Sequence, residues 1–571
     1  MSQTQAPQVV ETDVLVIGGG GAAARAALAA QEHGARTTLV VKGWFGWTGF
    51  RGGGATGCGN DPRWGYSCGL GVPGHPEEEE ELNVKLILQA GLGMADRNLV
   101  RSMVAEQGEA RRDLEKWGAV VAGNFAESDR RRWVQVMPAL ACAARASDVQ
   151  VRDHTMIIDL LVEDGQCKGG VGLDESGAPV VFTSKATILA TGGDARLFAL
   201  SCHPSCVTGD GYAMGYRAGA DLINMEFMQA FLATVVPTVN VLPCTSYWPQ
   251  RPRITNALGR EFLSDYLPSG CSVEECFEER AWHNPFSTRD RCSHYLDFAV
   301  VKEVLAGRGG PRGGCYLQGL DPRKMWHEHR EWLIFRGIDA SQPMEISSVH
   351  QCSDGGLYVK ENAESTVSCL YAVGEVSAGM HGADRLGGHM MVNSQVFGRR
   401  AGKDAATRAK EQSAPRVSQS TAEPALERIE ALRVAQGDRK PGEVLKALQQ
   451  ANWEGMLVVR NEDGLNRTLQ KIEEIKAESM PRLSVGSPAD LTTALELQNL
   501  LLVGEMVGKA ALMRRESRGG HFREDFPARD DANWLRVIRF RNRSGDMQMD
   551  TFVIDPEWEG LPGDMGKWVW G

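Results

Sequence analysis

The sequence predicts an α/β chain in which a Rossmann-like nucleotide-binding domain is interrupted by an α+β capping domain and followed by a helical C-terminal domain. Three observations carry that expectation. Residues 14–17 (Val-Leu-Val-Ile) form a short apolar run, and four glycines join them to a segment of helix-forming composition at 22–31. Such a run reads as a strand buried on both faces. Two later apolar runs, 186–193 and 369–375, also end in glycine, as strands do where a ligand lies against their carboxyl ends. Between them, residues 231–340 are rich in aromatics and proline with little strand pattern, which marks an insertion.

The first turn has the spacing G-x-G-x-x-A at Gly18, Gly20 and Ala23. Glycine at 18 permits a tight turn, glycine at 20 lets backbone approach a pyrophosphate, and a small residue at 23 lets the helix pack on the strand. Phosphates would lie over Gly21 and Ala22, where free N–H groups and the helix dipole favour anions. A second strand is expected at 37–41. It ends in Val41-Lys42, so the acidic ribose ligand common at this place is missing. Residues 43–60 then hold eight glycines in eighteen, a composition unsuited to a core and suited to backbone wrapped around a flat ligand.

Further along, the acidic run 77–81 reads as the solvated first turn of a helix. A helix at 97–117 carries Val100, Met103, Val104, Leu114 and Trp117 on one side. Residues 148–182 suggest a small β-meander with turns at Asp164-Gly165 and Ser176-Gly177. The strand at 186–193 ends in Thr191-Gly192-Gly193, a second glycine turn of the kind that encloses a flavin-type cofactor from its other side. Asp210 precedes a helix at 211–219 and either bonds a ribityl or ribose hydroxyl or caps that helix. The first domain, residues 1–230, resumes at 341–407 after a cap at 231–340, with the Gly-rich stretch 381–388 and a helix beginning near Asn393. Residues 408–424 read as a linker, 425–534 as a helical domain with loops near Asp438 and Gly486, and 535–571 as a hairpin tail turning at Ser544-Gly545.

Composition limits the partners. A length of 571 residues allows two to four domains. The net charge of −11 argues against nucleic acid, whose binding draws on basic residues. No signal-peptide core and no apolar run of about 18 residues is present, so a soluble, cytoplasmic chain that does not itself span a membrane is expected. Thirteen cysteines, an odd number without repeated spacing, suit reduced thiols. Cys202-His-Pro-Ser-Cys206 has no second pair near it, so no metal site is expected.

With these segments laid out, the chain resembles the flavoprotein subunits of the succinate dehydrogenase/fumarate reductase family, which includes L-aspartate oxidase and the adenylylsulfate reductase alpha subunit. The resemblance rests on the Gly18–Ala23 turn, Ala-Thr-Gly-Gly at 190–193, residues 208–219 and 225–229, Thr288-Arg289-Asp290, Ser348-Val349-His350, residues 370–402, and Glu-Ser-Arg-Gly-Gly-His-Phe-Arg-Glu-Asp-Phe-Pro at 516–527. It implies FAD as cofactor, with contacts at Gly18, Gly20, Gly21, Ala22, Lys42, Thr48, Gly49, Gly53, Gly54, Thr191, Gly192, Asp210, Gly374, Glu375, Arg385, Gly388 and Asn393. For Gly374 and Glu375 a capping role is the alternative. It further implies that Arg289 protonates a substrate carbon and that His350 and Arg385 grip a substrate carboxylate. An arginine acid is unusual because its pKa lies above about 12, so burial and a proton path are required. The guanidinium fork suits a carboxylate, and histidine adds a directional bond.

Three departures qualify the resemblance. Covalent members attach the flavin through a histidine in the loop that here spans 46–51, and residues 43–60 contain none, so the FAD is expected to be non-covalent. The family's Gln-Phe-His-Pro-Thr is here Gln-Ala-Phe-Leu-Ala at 229–233, with Phe231 in place of a substrate-binding histidine. The threonine–glutamate pair at the start of the family's cap is unrecognisable. An apolar group at that end rejects a second carboxylate, so the expected reaction oxidises or reduces a C–C bond next to a carboxylate or thioester, and plain succinate or fumarate is doubtful. By the resemblance, the 516–527 block implies the C-terminal helical domain of heteromeric members, in which electrons are exchanged with an iron–sulfur subunit; this chain has no cluster-type cysteine spacing, so clusters would belong to that partner. The aromatic end, Trp568 and Trp570, would dock that subunit or pack on its own domain. The alternatives are an adenylylsulfate-reductase-like or amino-acid-oxidase-like enzyme, and a non-catalytic electron-relay subunit.

Overall fold

A computed structural model describes residues 7–46, 76–119, 136–237 and 246–560, apart from 284, 326–329, 332, 335, 336 and 414. The expected flavin contacts Thr48, Gly49, Gly53 and Gly54, and the aromatic pair Trp568 and Trp570, lie outside these described residues.

The central sheet runs β3 (Gln150–Arg152), β2 (Thr37–Val40), β1 (Gln8–Ile17), β6 (Pro179–Leu189), β5 (Gln166–Leu173) and β4 (Met156–Glu163) in spatial order. β1 pairs in parallel with β2 and β6, and β5 is antiparallel to β4 and β6. One expectation is corrected here. The meander at 148–182 and the strand at 186 are not separate, because β6 is a single strand whose first half closes the meander and whose whole length lies beside β1. Its side chains from Ala186 to Leu189 are fully buried, the pattern of a strand covered on both faces. Around this sheet stand α1 (Gly21–Glu32), α2 (Pro76–Ala90), α3 (Arg97–Lys116), α4 (Val136–Ala146) and α5 (Asp210–Arg217).

After β7 (Leu222–Ile223) the chain enters β8 (Met228–Val236), β9 (Arg253–Thr255), α6 (Val273–Trp282), α7 (His294–Leu305), β10 (Cys315–Gln318) and β11 (Met344–Ser353). The four strands form an antiparallel sheet in the order β8-β11-β10-β9. A separate core of Leu232, Trp248, Phe277, Val300, Leu317 and Ile346 underlies it. The little strand pattern read at 231–340 reflects strands of three and four residues, too short to show alternation. A second correction concerns the thiols. Cys271 and Cys292 form a disulfide that ties the segment before α6 to the one before α7; their pairing depends on proximity across the cap, which cysteine counting does not reveal.

The chain then returns through β12 (Gly356–Tyr358), β13 (Leu370–Ala372), which pairs in parallel with β6, and β14 (Ser377–Ala378). α8 (His389–Glu411) packs closely along α1: a Cβ on Gly402 would lie 2.3 Å from the Ala26 carbonyl oxygen. α9 (Gln419–Arg433), α10 (Pro441–Asn452), α11 (Glu462–Glu474) and α12 (Pro488–Met513) follow. The connection between α8 and α9 is shorter than the 408–424 linker read from composition, since both helices extend into it and bury Ala409 and Ala422. β15 (Val537–Arg543) and β16 (Asp546–Phe552) form the tail hairpin, with Ser544 and Gly545 both at positive φ, a I′-type turn. The hairpin does not hang free. β15 pairs with β7, completing a five-stranded sheet β14-β12-β7-β15-β16. Among the described residues no helix is long and apolar enough to cross a membrane.

Candidate active site

The nucleotide end begins where β1 meets α1. Gly18 sits at φ +136°, and a Cβ there would lie 2.1 Å from the Ala190 carbonyl oxygen. Only glycine lets the tips of β1 and β6 approach so closely. Gly20 is the N-cap of α1 in extended backbone, with no side-chain hydrogen bond at that cap, and among the described residues a Cβ there meets nothing within 4 Å. The open space at the first N–H groups of the helix fits a pyrophosphate. Lys42, after β2, reaches Asp210 Oδ2 and Glu496 Oε1, both at 2.8 Å. Asn499 donates to Asp210 Oδ1 at 2.9 Å, and the Thr208 hydroxyl donates to Oδ2 at 3.0 Å. Burial opposes the Lys42 ammonium, but the carboxylates of Asp210 and Glu496 outweigh it and raise its pKa. Asp210 is therefore no helix cap. Gly209 takes that position without any side-chain hydrogen bond, and the Asp210 carboxylate is engaged with the lysine that stands where an acidic ribose ligand was missing.

Beyond the end of β6 and at the start of α8, buried polar atoms lack a partner among the described residues. Among the described residues, Thr191 Oγ1, His381 Nδ1, His389 Nε2, Asn393 Oδ1 and Gln395 Oε1 are buried and make no hydrogen bond. Such atoms cost roughly 1–3 kcal/mol each when left unsatisfied, and a heteroaromatic ring with carbonyl and N–H edges would satisfy them. Burial, then the neighbouring Arg385, holds His381 well below the ordinary histidine pKa; burial takes His389 down to about 4. Both imidazoles are thus neutral at this pocket. Gly374, at φ +75°, packs against Ala22, and its carbonyl oxygen accepts from Asn393 Nδ2 at 3.2 Å. Glu375 caps nothing. Its Oε1 accepts from the Ser353 backbone N–H at 3.0 Å, and a Cβ on Gly193 would strike it at 2.5 Å. Gly388, the N-cap of α8, is left-handed at φ +74°.

The substrate end is built around Asp384, which is wholly buried. Its Oδ2 accepts from Arg289 Nε at 2.5 Å and from the Ser287 hydroxyl at 2.6 Å, and its Oδ1 accepts from Gln229 Nε2 at 2.7 Å. The other end of Gln229 accepts from Arg385 Nη2 at 2.7 Å. Arg289 from the cap and Arg385 from the nucleotide domain are thereby held on one buried network with two guanidinium charges and one carboxylate. Guanidinium forks brought together in this way suit an anionic ligand.

His350 lies on β11, its ring fully buried and stacked on Phe198, with Nε2 3.2 Å from the Ser353 hydroxyl and 3.9 Å from Asp194. Its Nδ1 makes no hydrogen bond among the described residues. A register shift between His350 and Cys352 interrupts the pairing of β11 with β8. The next residue, Gln351, reaches Arg385 Nη2 at 3.1 Å. Phe231, two residues beyond Gln229 on β8, packs with Cys202, Ala233 and Val349 in a small apolar cluster. Asp384, Gln229, Ser287 and Gln351 were missed in the sequence because their hydrogen bonds span up to 156 positions and leave no local pattern.

The 516–527 block supports this site from behind. The Thr288 N–H donates to the Gly519 carbonyl at 2.9 Å, and the Gly520 N–H donates to the Ala383 carbonyl at 3.0 Å. A Cβ on Gly519 would lie 2.2 Å from Ala383 O, and one on Gly520 2.1 Å from Met228 O. The wedge is anchored by buried Arg514 and Arg518, which share Glu516 Oε1 at 2.8 and 2.7 Å, while Arg514 also reaches Glu226 at 2.7 Å. The loops carrying Arg289 and Arg385 thus rest on one buried ion network.

Comparison with known proteins agrees with this arrangement. A family model described as FAD binding domain matches residues 13–136 and 124–391, and one described as fumarate reductase flavoprotein C-term matches 445–558. One subunit of the fumarate reductase (CoM/CoB) of Methanothermobacter marburgensis is 32% identical, covering 93% of this chain and 97% of that one. The L-aspartate oxidase of Streptomyces coelicolor is 29% identical, with 93% and 92% covered. Among solved structures, FrdA of Escherichia coli quinol fumarate reductase has a TM-score of 0.79 at 24% identity, covering 97% and 99% of the two chains, a likeness of fold. With a nucleotide turn, a cap and a buried arginine pair in place, the chain belongs to the fumarate reductase/succinate dehydrogenase family of FAD-binding flavoproteins and is a flavoprotein oxidoreductase.

Proposed function

We propose that the protein oxidises or reduces a C–C bond next to a carboxylate or thioester, with FAD held non-covalently, and exchanges electrons with an iron–sulfur subunit. The observation that carries the reading is the convergence of Arg289 and Arg385 on Asp384 and Gln229 beside the flavin pocket. When bound, the flavin supplies hydride transfer at N5. Arg385, with Gln229 and Gln351 as polar neighbours, binds and orients the carboxylate. Arg289, held through Nε by Asp384, delivers or removes the proton at the adjacent carbon. Phe231 and its apolar neighbours exclude water and a second charge from the far end. That favours an acid with one carboxylate over a dicarboxylate. The relative's name supports reduction of a C=C bond as the reaction class, and the missing loop histidine supports dissociable FAD.

The test is purification of the yellow protein with any co-purifying subunit, followed by dye-linked turnover and bleaching by candidate acids such as fumarate, succinate and crotonate. Arg289→Ala is expected to abolish turnover while the flavin stays bound and dye-reducible. Full turnover in that variant would reject the acid role.

A further inference from the structure

An arginine that gives a proton to carbon becomes a neutral guanidine and must be recharged from water before the next turnover. Asp384, its ion-pair partner, is wholly buried. On the other side, Arg289 Nη2 lies 2.9 Å from His283 Nε2, and His283 Nδ1 lies 2.7 Å from Asp290 Oδ2. Because Arg289 donates to Nε2, the imidazole carries its proton on Nδ1 and donates it to the carboxylate. The exposures decide the direction of traffic: the His283 side chain is 23% exposed against 8% for Arg289.

Resting on the reading of Arg289 as the acid, we propose that His283, backed by Asp290, is the positioning and proton-delivery residue that connects Arg289 to solvent. An imidazole exchanges protons with water near neutral pH, which a guanidinium does not. In the reducing direction a hydride and its electron pair add to one carbon. The Arg289 proton adds to the other; the neutral imidazole of His283 then takes a proton from water and passes it through Nε2 to the neutral guanidine, which restores Arg289. Oxidation runs the same steps backwards, and no further oxidant or reductant is needed.

The surroundings of His283 fix the ring in place. Asp290 faces it, with its own pKa lowered: burial raises it, but His283 and then Arg289 outweigh that. Asp290 Oδ2 also accepts from the Ser293 hydroxyl at 2.8 Å, which fixes the carboxylate. The other charged groups nearby are committed elsewhere. Glu279, one turn back on α6, accepts from the Cys292 and Ser293 N–H groups at 2.7 Å, and Arg280 pairs with Asp297. His283 itself ends α6, its N–H donating to Glu279 O at 2.9 Å, so it stands on a fixed element.

The test uses the FAD-loaded protein, reduced methyl viologen, and whichever of fumarate and crotonate the wild type reduces faster. His283→Ala and His283→Gln are expected to lose about 100-fold or more in kcat with KM little changed, the scale of a lost proton-transfer group. Added imidazole restores part of the rate in His283→Ala, since the site reaches solvent. As a readout independent of turnover, the ¹⁵N-histidine spectrum should show a downfield Nδ1–H proton that vanishes in His283→Gln and moves upfield in Asp290→Asn. Inactive Arg289→Ala with unchanged rate in both His283 variants would overturn the relay alone. Active Arg289→Ala would overturn the acid reading, and the relay with it.

Discussion

Two glycines only two positions apart make opposite predictions. At Gly18 an added methyl would lie 2.1 Å from the Ala190 oxygen, on backbone at φ +136°. That is more than about 1 Å inside van der Waals contact. Overpacking costs roughly 1–3 kcal/mol, and a side chain in this backbone region adds roughly 1–3 kcal/mol. Gly18→Ala therefore loses about 2–6 kcal/mol and lowers the melting temperature of the FAD-free protein. At Gly20 the backbone is extended, and among the described residues no atom lies within 4 Å of the added methyl. Gly20→Ala leaves the melting temperature of the FAD-free protein almost unchanged, within about 0.5 kcal/mol. If a pyrophosphate fills that space, the same methyl overpacks it by roughly 1–3 kcal/mol, weakening FAD about 5- to 150-fold. Differential scanning fluorimetry without flavin and a fluorescence titration with FAD separate the two effects. A Gly20→Ala protein that binds FAD as tightly as the wild type would refute the placement of the nucleotide.

Three further outcomes follow from the rest of the molecule. Glu516→Ala removes the carboxylate that the buried Arg514 and Arg518 share and leaves them only Glu226 and Asp531, and is expected to cost up to about 3–5 kcal/mol; a melting temperature equal to the wild type's would show the network to be dispensable. Burial pushes the Asp194 carboxyl up to about 6, with the Ser353 hydroxyl opposing and Glu375 adding to the rise. A raised folded pKa means that its stability is present below the unfolded value of 3.8 and lost as pH climbs through 6. The melting advantage of Asp194→Asn is then expected to grow between those pH values, towards about 3 kcal/mol, and a pH-independent difference would contradict the assignment. Thiol titration of the denatured, unreduced protein is expected to find two thiols fewer than after reduction, from Cys271 and Cys292; equal counts would mean that the cap is held without that bond.

Much of this architecture is legible in local pattern. The strand, glycine turn and helix from Val14 onwards, the helix at 97–117 and the hairpin at Ser544-Gly545 all follow from neighbours in sequence, where periodicity and turn chemistry act. What depends on distant partners is less visible. Lys42 reads as a missing acid, yet it closes an ion triad with Asp210 and Glu496, a residue 454 positions away. Gln351, next to His350 on β11, reaches Arg385, a residue 34 positions away in the chain. The 516–527 block is legible as a family segment; that its glycines pack against Ala383 and Thr288 is visible only in the fold.

By itself the sequence determined the class of the molecule: a nucleotide turn, an inserted cap and a helical end. Those are written in short-range spacing and side-chain chemistry. Only the tertiary structure decided that Asp384 and Gln229 join the two arginines, that His350 turns inward, and that His283 stands between Arg289 and water. Hydrogen bonds are directional and reach about 3 Å, so which groups share one is fixed when the cap, the nucleotide domain and the C-terminal wedge close on each other.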